Sequence, residues 1–477
     1  MRRRKWGLFL QGQGHLLGAP WSKHQHLLVL MLNYVALLLF VGGSMRWFKV
    51  LGAALLSCLM MASAHAALQI EITGGINEGR RVVVLPFQTQ GQVPVDVSSI
   101  ISADLMRSGK FSPITYNQLP SGAIVNGAVN FDALAAAGAE AVVSGRVVPV
   151  PNSQNYQVIY NIHGVQGANK GRPLTQSRGV SANAAQLRQA AHLVSDRTYE
   201  LLTGQKGAFR TRIAYIVYRF GDRFPYQLMT ADYDGYNEVP ILRSTEPIMT
   251  PNWSPDGRRL VYVSFERRAP AIFVQDIFTK QRTKLASFPG LNSSPTWSPD
   301  GNKIAFTLSK DGQPEIYYYD LVTSRLHRIT NNRAIDTEPS WSSDSSRLFF
   351  TSERGGRAQI YAVDINTRDA QRVTYQGAMN LSARPIPNSN ALIVITRQNG
   401  YRVARVDADG SIYMLTTSSL DESPSVAPNG AMVIYSTVYE GRKGLALVST
   451  DGRFKANLPS SNSGEISAPA WGPLPEK

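Results

Sequence analysis

The 477-residue sequence predicts an α/β N-terminal domain followed by an all-β six-bladed β-propeller, closed by pairing of its N- and C-terminal strands. Three observations carry this. Trp253-Ser254-Pro255-Asp256-Gly257 returns 44 residues later as Trp297-Ser298-Pro299-Asp300-Gly301, and after another 44 as Trp341-Ser342-Ser343-Asp344-Ser345. Decayed copies follow at Pro385-Ile386-Pro387-Asn388-Ser389, Val426-Ala427-Pro428-Asn429-Gly430 and Trp471-Gly472-Pro473, making six. Each complete unit holds short strands separated by polar turns, the pattern of a propeller blade. The two ends are defective in complementary ways. Copy six has no strand after it, and the strand Ile213–Tyr218 has no copy before it. Pairing both ends in one blade removes both defects and leaves no open sheet edge.

Taken in order, residues 1–44 read as an extension from a start codon placed too early. Residues 45–66 read as a secretory signal peptide, with Arg46 and Lys49 ahead of the apolar run Val50–Met61 and small residues at Ala64 and Ala66. Cleavage after Ala66 is expected. The apolar run His26–Val41 is short for a membrane span, and Leu55-Leu56-Ser57-Cys58 fits a lipoprotein cleavage box poorly. Residues 1–66 carry seven basic and no acidic residues. The rest has 42 basic against 34 acidic residues, a net +8, which does not call for nucleic acid. The one cysteine, Cys58, leaves with the leader, which excludes disulfides, thiolate catalysis and cysteine metal sites in the processed chain.

The α/β domain is expected over 67–205, beginning with a mobile arm. Leu68, Ile70 and Ile72 alternate with Gln69 and Glu71, an edge strand or free arm, with Gly74-Gly75 behind it as a hinge. Val82–Leu85 reads as a buried strand. Asp96 opens a helix with Ile100, Ile101, Leu105 and Met106 on one face, stopped at Gly109. A short helix over 131–137 leads to strands over 141–150 and 156–162. A long helix over about 183–202 carries Leu187, Ala191, Val194, Thr198 and Leu201 on one face and stops at Gly204.

The propeller is expected over 206–477. Pro-Asp-Gly suits a tight turn, so Asp256, Asp300 and the repeat tryptophans read as structural. A second repeating position precedes each Trp-equivalent: Pro251, Pro295, Pro339, Pro424 and Pro469, with Ala383 in the fourth unit. The triplets ahead of these positions must gather around one mouth of the channel. Asn292, Ser293, Ser294, Asp336, Thr337, Glu338, Asp421 and Glu422 belong to them, small, polar and acidic residues suited to protein or peptide recognition.

No nucleophile elbow, phosphate loop, dinucleotide fingerprint or His-Glu-x-x-His is present. His163, His192 and His327 are dispersed and read as ordinary surface or hydrogen-bonded histidines. No cofactor or metal is expected.

Gly207–Tyr215, Asp232-Tyr233-Asp234-Gly235-Tyr236-Asn237, the Trp-Ser-Pro-Asp-Gly copies and Ser449–Lys455 together resemble the TolB family, periplasmic components of the Tol-Pal system of Gram-negative envelopes. The resemblance implies a non-catalytic periplasmic protein. It implies binding of the outer-membrane lipoprotein Pal at the mouth, through Ser293, Ser294, Thr337, Glu338 and their neighbours. It implies binding of inner-membrane TolA through Leu68, Gln69, Ile70, Glu71 and Ile72. Support of outer-membrane invagination at division and of membrane integrity would follow, with contacts to other envelope proteins and a monomer when free. The rival reading is a propeller-gated peptidase, which would need a hydrolase domain after the propeller, or a propeller-type hydrolase, which would need clustered histidines or carboxylates in the channel.

Overall fold

A computed structural model describes the backbone of residues 70–71, and residues 79–458 and 464–475. The expected start extension and signal peptide, and Leu68, Gln69 and Ile72 of the arm, lie outside the described residues. From Ala66 onward the chain is one compact unit. No described helix is long and apolar enough to cross a membrane.

The N-terminal part is a mixed sheet between helices. Strand Arg80–Val84 pairs in parallel with Phe111–Ile114 on one side and Ala139–Pro149 on the other; Asn155–Gly164 and Arg178–Asn183 then continue antiparallel. Successive side chains of a strand point to opposite faces, which explains its apolar run of valines. Val82 and Val84 pack under helices α1 (Val97–Arg107) and α3 (Leu187–Thr203), while Val83 packs with Leu134 of the short helix α2 (Phe131–Ala136). Asp96 caps α1 by accepting from the amides of Ser98 and Ser99. The long helix starts at Leu187, the first residue of its apolar face and later than the expected 183, because Asn183 caps a 3₁₀ turn over Ala184–Gln186 first. The strands Phe111–Ile114 and Arg178–Asn183 are additions to the expected set.

Six sheets follow. Five use strands in chain order from the inside outward, beginning at Ile248–Trp253, Asn292–Trp297, Asp336–Trp341, Asn380–Pro385 and Glu422–Val426. They are blades two to six. Blade one combines Arg212–Tyr218, Tyr226–Asp232 and Val239–Ser244 with Glu465–Trp471 as its innermost strand. The expected closure is therefore present as Tyr218 opposite Glu465 through Ile213 opposite Trp471. Ile70 and Glu71 add to the outer edge of blade six, opposite Ala456 and Lys455.

The repeat residues act as their chemistry suggests. Asp300 accepts from Ser298 Oγ at 2.5 Å and from the Asn302 amide at 3.0 Å, so its oxygens close the turn. Trp253 and Trp341 donate from Nε1 to carbonyls of the preceding blade, Ala470 at 3.1 Å and Thr296 at 3.2 Å. The face carrying these turns also carries the α/β part: Lys110 pairs with Asp451 at 3.2 Å, and Asn429 donates to the Lys206 carbonyl at 3.1 Å. The triplets open on the opposite face.

Candidate functional site: the propeller mouth

Each innermost strand bulges at the same place. The third residue of every triplet takes a left-handed backbone: Thr250 (φ 46), Ser294 (50), Glu338 (55), Ser382 (53), Ser423 (53) and Ala468 (50). The ladder to the neighbouring strand slips there in every blade. A bulge re-aims side chains, and left-handed non-glycine residues are strained, so six in register mark a built rim.

Adjacent members of the rim are stitched together. Glu338 accepts from the Ser382 amide at 3.0 Å, Ser382 Oγ at 2.7 Å and Thr351 Oγ1 at 2.9 Å, joining blades four and five. Ala468 donates its amide to Ser436 Oγ at 3.0 Å, joining blades one and six.

Inside the rim lies a funnel of about 690 Å³, lined mainly by apolar groups. Met249, Leu420 and Tyr401 expose 48 %, 57 % and 36 % of their surface there. Tyr218 and Tyr226 lie against each other with ring centroids 5.0 Å apart, and Lys443 pairs with Glu422 at the edge. A partly charged, aromatic and methionine-bearing concavity of this kind suits a protein side chain more than a small polar substrate.

The structure divides the eight mouth residues read from the sequence. Glu338, Asp421 and Glu422 line the funnel, whereas Asn292, Ser293, Ser294, Asp336 and Thr337 do not. Asn292 and Asp336 open their strands, Asp421 directly precedes its own, and all three are buried. Asn292 donates to the carbonyls of Phe288 and Gly290; Asp336 is held by Arg354 at 2.7 Å; Asp421 accepts from the hydroxyls of Thr416, Ser418 and Thr437. These three hold the loops around the entrance to their innermost strands and offer little to a partner. Ser293, Ser294, Thr337, Glu338 and Glu422 remain partly or fully exposed. Sequence reasoning missed Tyr218, Tyr226, Tyr401, Leu420 and Lys443. A signal existed: the residue before each triplet is apolar in five of six units, as Pro247, Leu291, Ile335, Met379 and Leu420.

Elsewhere, one buried cluster has ligand-like spacing. Carboxylate oxygens of Asp104 and Asp234 and a ring nitrogen of His192 lie within 4.8 Å of one another, all fully buried. His192 Nδ1 is 2.7 Å from Asp104 Oδ2, Tyr233 donates to Asp104 Oδ1 at 2.6 Å, and Asp234 is bound by Arg188 and lies 3.7 Å from Arg107. Burial opposes charge on His192, but the hydrogen-bonded Asp104 carboxylate and Asp234 hold it above its ordinary pKa. Burial likewise opposes charge on Asp234, and His192, Arg188 and Arg107 outweigh it and hold this carboxyl below the usual range. Two arginines already supply the cationic charge a metal would bring, so this is an ionic joint between the α/β part and the propeller. Of the two expected settings for His192, surface or hydrogen-bonded, it takes the hydrogen-bonded one.

The family model described as the TolB beta propeller domain matches residues 199–475, and that of the TolB amino-terminal domain matches residues 68–170. The Tol-Pal system protein TolB of Mannheimia succiniciproducens is 52 % identical over 428 residues, covering 89 % of this chain and 97 % of that protein. That of Haemophilus influenzae strain Rd is 52 % identical over 415 residues, covering 86 % and 94 %. Among solved structures, TolB from Acinetobacter baumannii is similar at 38 % identity and a TM-score of 0.76, over 85 % of this chain and all of that one.

Proposed function

The chain belongs to the TolB family of the Tol-Pal system, and from that premise we propose that it is a non-catalytic, protein-binding component of the periplasm. Its mouth takes the outer-membrane lipoprotein Pal and its arm, Leu68 to Ile72, takes inner-membrane TolA. Linking the two supports outer-membrane invagination at division and membrane integrity. The observation that carries this reading is the apolar funnel on the face opposite the α/β part, ringed by six strained rim residues. The arm reading is supported by Ile70 and Glu71, whose backbone adds as a strand to the edge of blade six. The same backbone groups are those a partner's sheet would take.

A hydrolase would need a nucleophile or paired acids in the funnel. Glu338 there is consumed by Ser382 and Thr351, and Glu422 by Lys443. Calorimetric titration of the mature protein with the soluble domain of Pal tests the proposal. Thr337→Trp with Glu338→Arg should weaken binding by about 2 kcal/mol or more if the rim frames the contact. Unchanged affinity in a variant with an unaltered melting temperature would refute the mouth assignment.

A further inference from the structure

Outside the funnel, the same face carries a second concavity of about 880 Å³, at the outer rim between blades four and five. Its walls are the loop Gln376–Met379, the hairpin Thr396–Gly400 and the end of the strand Ile412–Met414, with Arg357 projecting from a loop of blade four. Met379, Ile412 and Met414 give it an apolar floor, and Gln376, Gln398 and Asn399 an amide rim. Arg357 and Arg397 are both exposed on it, and no acidic residue lines it. Among the described residues neither arginine meets a carboxylate. Arg397 approaches only the Met379 sulfur at 3.8 Å and the Tyr401 ring at 5.9 Å. The contrast with neighbouring arginines is informative, because Arg354 is held by Asp336 and Arg405 by Asp407.

Two unneutralised guanidinium groups over an apolar floor suit carboxylates flanking an apolar side chain. The groove also adjoins the funnel, since Gly400 lines the one and Tyr401 the other. We propose that this groove binds an extended acidic segment of a protein partner, with one carboxylate on Arg357, another on Arg397 and an apolar side chain between them on Met379 and Met414. The site is separate from the funnel in its chemistry. The proposal rests on the protein-binding reading only in supposing that one partner reaches both.

The test uses the intact protein and fluorescence anisotropy with a labelled, capped peptide of alternating glutamate and leucine. Its glutamine–leucine counterpart and anionic phosphatidylglycerol vesicles are run beside it. The acidic peptide should bind, the glutamine peptide at least about ten-fold more weakly, and Arg357→Glu with Arg397→Glu should cost at least the same factor at an unaltered melting temperature. Rising ionic strength should weaken the wild type and not the variant. Equal binding of both peptides, equal binding by the variant, or retention on vesicles without peptide binding would each overturn the proposal, the last in favour of a lipid surface. Glu338→Arg in the funnel separates the two readings. Loss of Pal binding with intact peptide binding supports both sites, whereas wild-type protein that binds peptide but not Pal refutes the mouth assignment and leaves the groove standing.

Discussion

His192 shows how little of a side chain's surroundings can be read from its neighbours in sequence. Its surroundings come from three places: Asp104 and Arg107 on α1, Arg188 on its own helix, and Tyr233 and Asp234 on a propeller loop. A group held above its ordinary pKa of 6.5 in the fold stabilises fully below that value, and the contribution fades as pH rises through the higher folded value. Asp234, held low, keeps its contribution until pH falls below the usual carboxylate range. His192→Gln should therefore cost most in mildly acidic solution, about 3–5 kcal/mol as the break of a buried charged pair, and less as pH rises through the higher folded value. Thermal melts of both proteins from mildly acidic to alkaline solution measure it; a difference independent of pH would mean that the fold leaves the His192 pKa unshifted. The mouth shows the same limit of reading by position. Asn292, Asp336 and Asp421 occupy the right loops, but burial at or just before the start of each inner strand commits their polar groups to neighbouring loop atoms. Only packing decides which of a triplet's three residues faces out.

At the scale of the element, local rules were legible and their boundaries nearly so. The cap at Asp96, the glycine stops and the turn aspartates are short-range chemistry, and the structure uses them as such. The strands Phe111–Ile114 and Arg178–Asn183 escaped notice because they carry no clean alternation and are defined by their sheet neighbours. Gly109 has a second role that the sequence did not show. It ends α1 in a left-handed conformation (φ 66), and a Cβ there would lie 2.9 Å from Ser449 Cβ and 3.2 Å from Phe454 Cβ of blade six. Helix stop and domain contact thus coincide in one residue. Gly109→Ala should cost roughly 1–2 kcal/mol from backbone strain, with the steric contact adding to it. A denaturant melt with unchanged slope measures this, and a loss below 0.5 kcal/mol, on the order of a neutral surface change, would show that blade six yields easily.

For the molecule as a whole, the ring was legible because it is a matter of counting: six copies and two complementary end defects force the closure. The joint between the two parts was not, because its residues are distant in sequence and share no periodicity. Trp471 connects both. It ends the closing strand opposite Ile213, donates from Nε1 to Thr211 Oγ1 at 2.8 Å, and stacks on Tyr233, whose hydroxyl binds Asp104 on α1. One continuous apolar core runs from Leu105 and Val194 through Phe209 and Tyr233 to Met432, Phe454 and Trp471. Opening the ring and parting the α/β domain from it must then expose much of the same surface. Unfolding should be a single cooperative transition, with calorimetric and van't Hoff enthalpies in agreement, although chains of this size commonly unfold in steps. Trp471→Ala should lower stability by about 3–5 kcal/mol through the cavity it leaves. Because it weakens closure and joint together, it should shift that one transition downward without splitting it. Two resolved transitions in the wild type, or a variant in which only one part melts earlier, would show that the parts are energetically separate and that the shared core does not couple them.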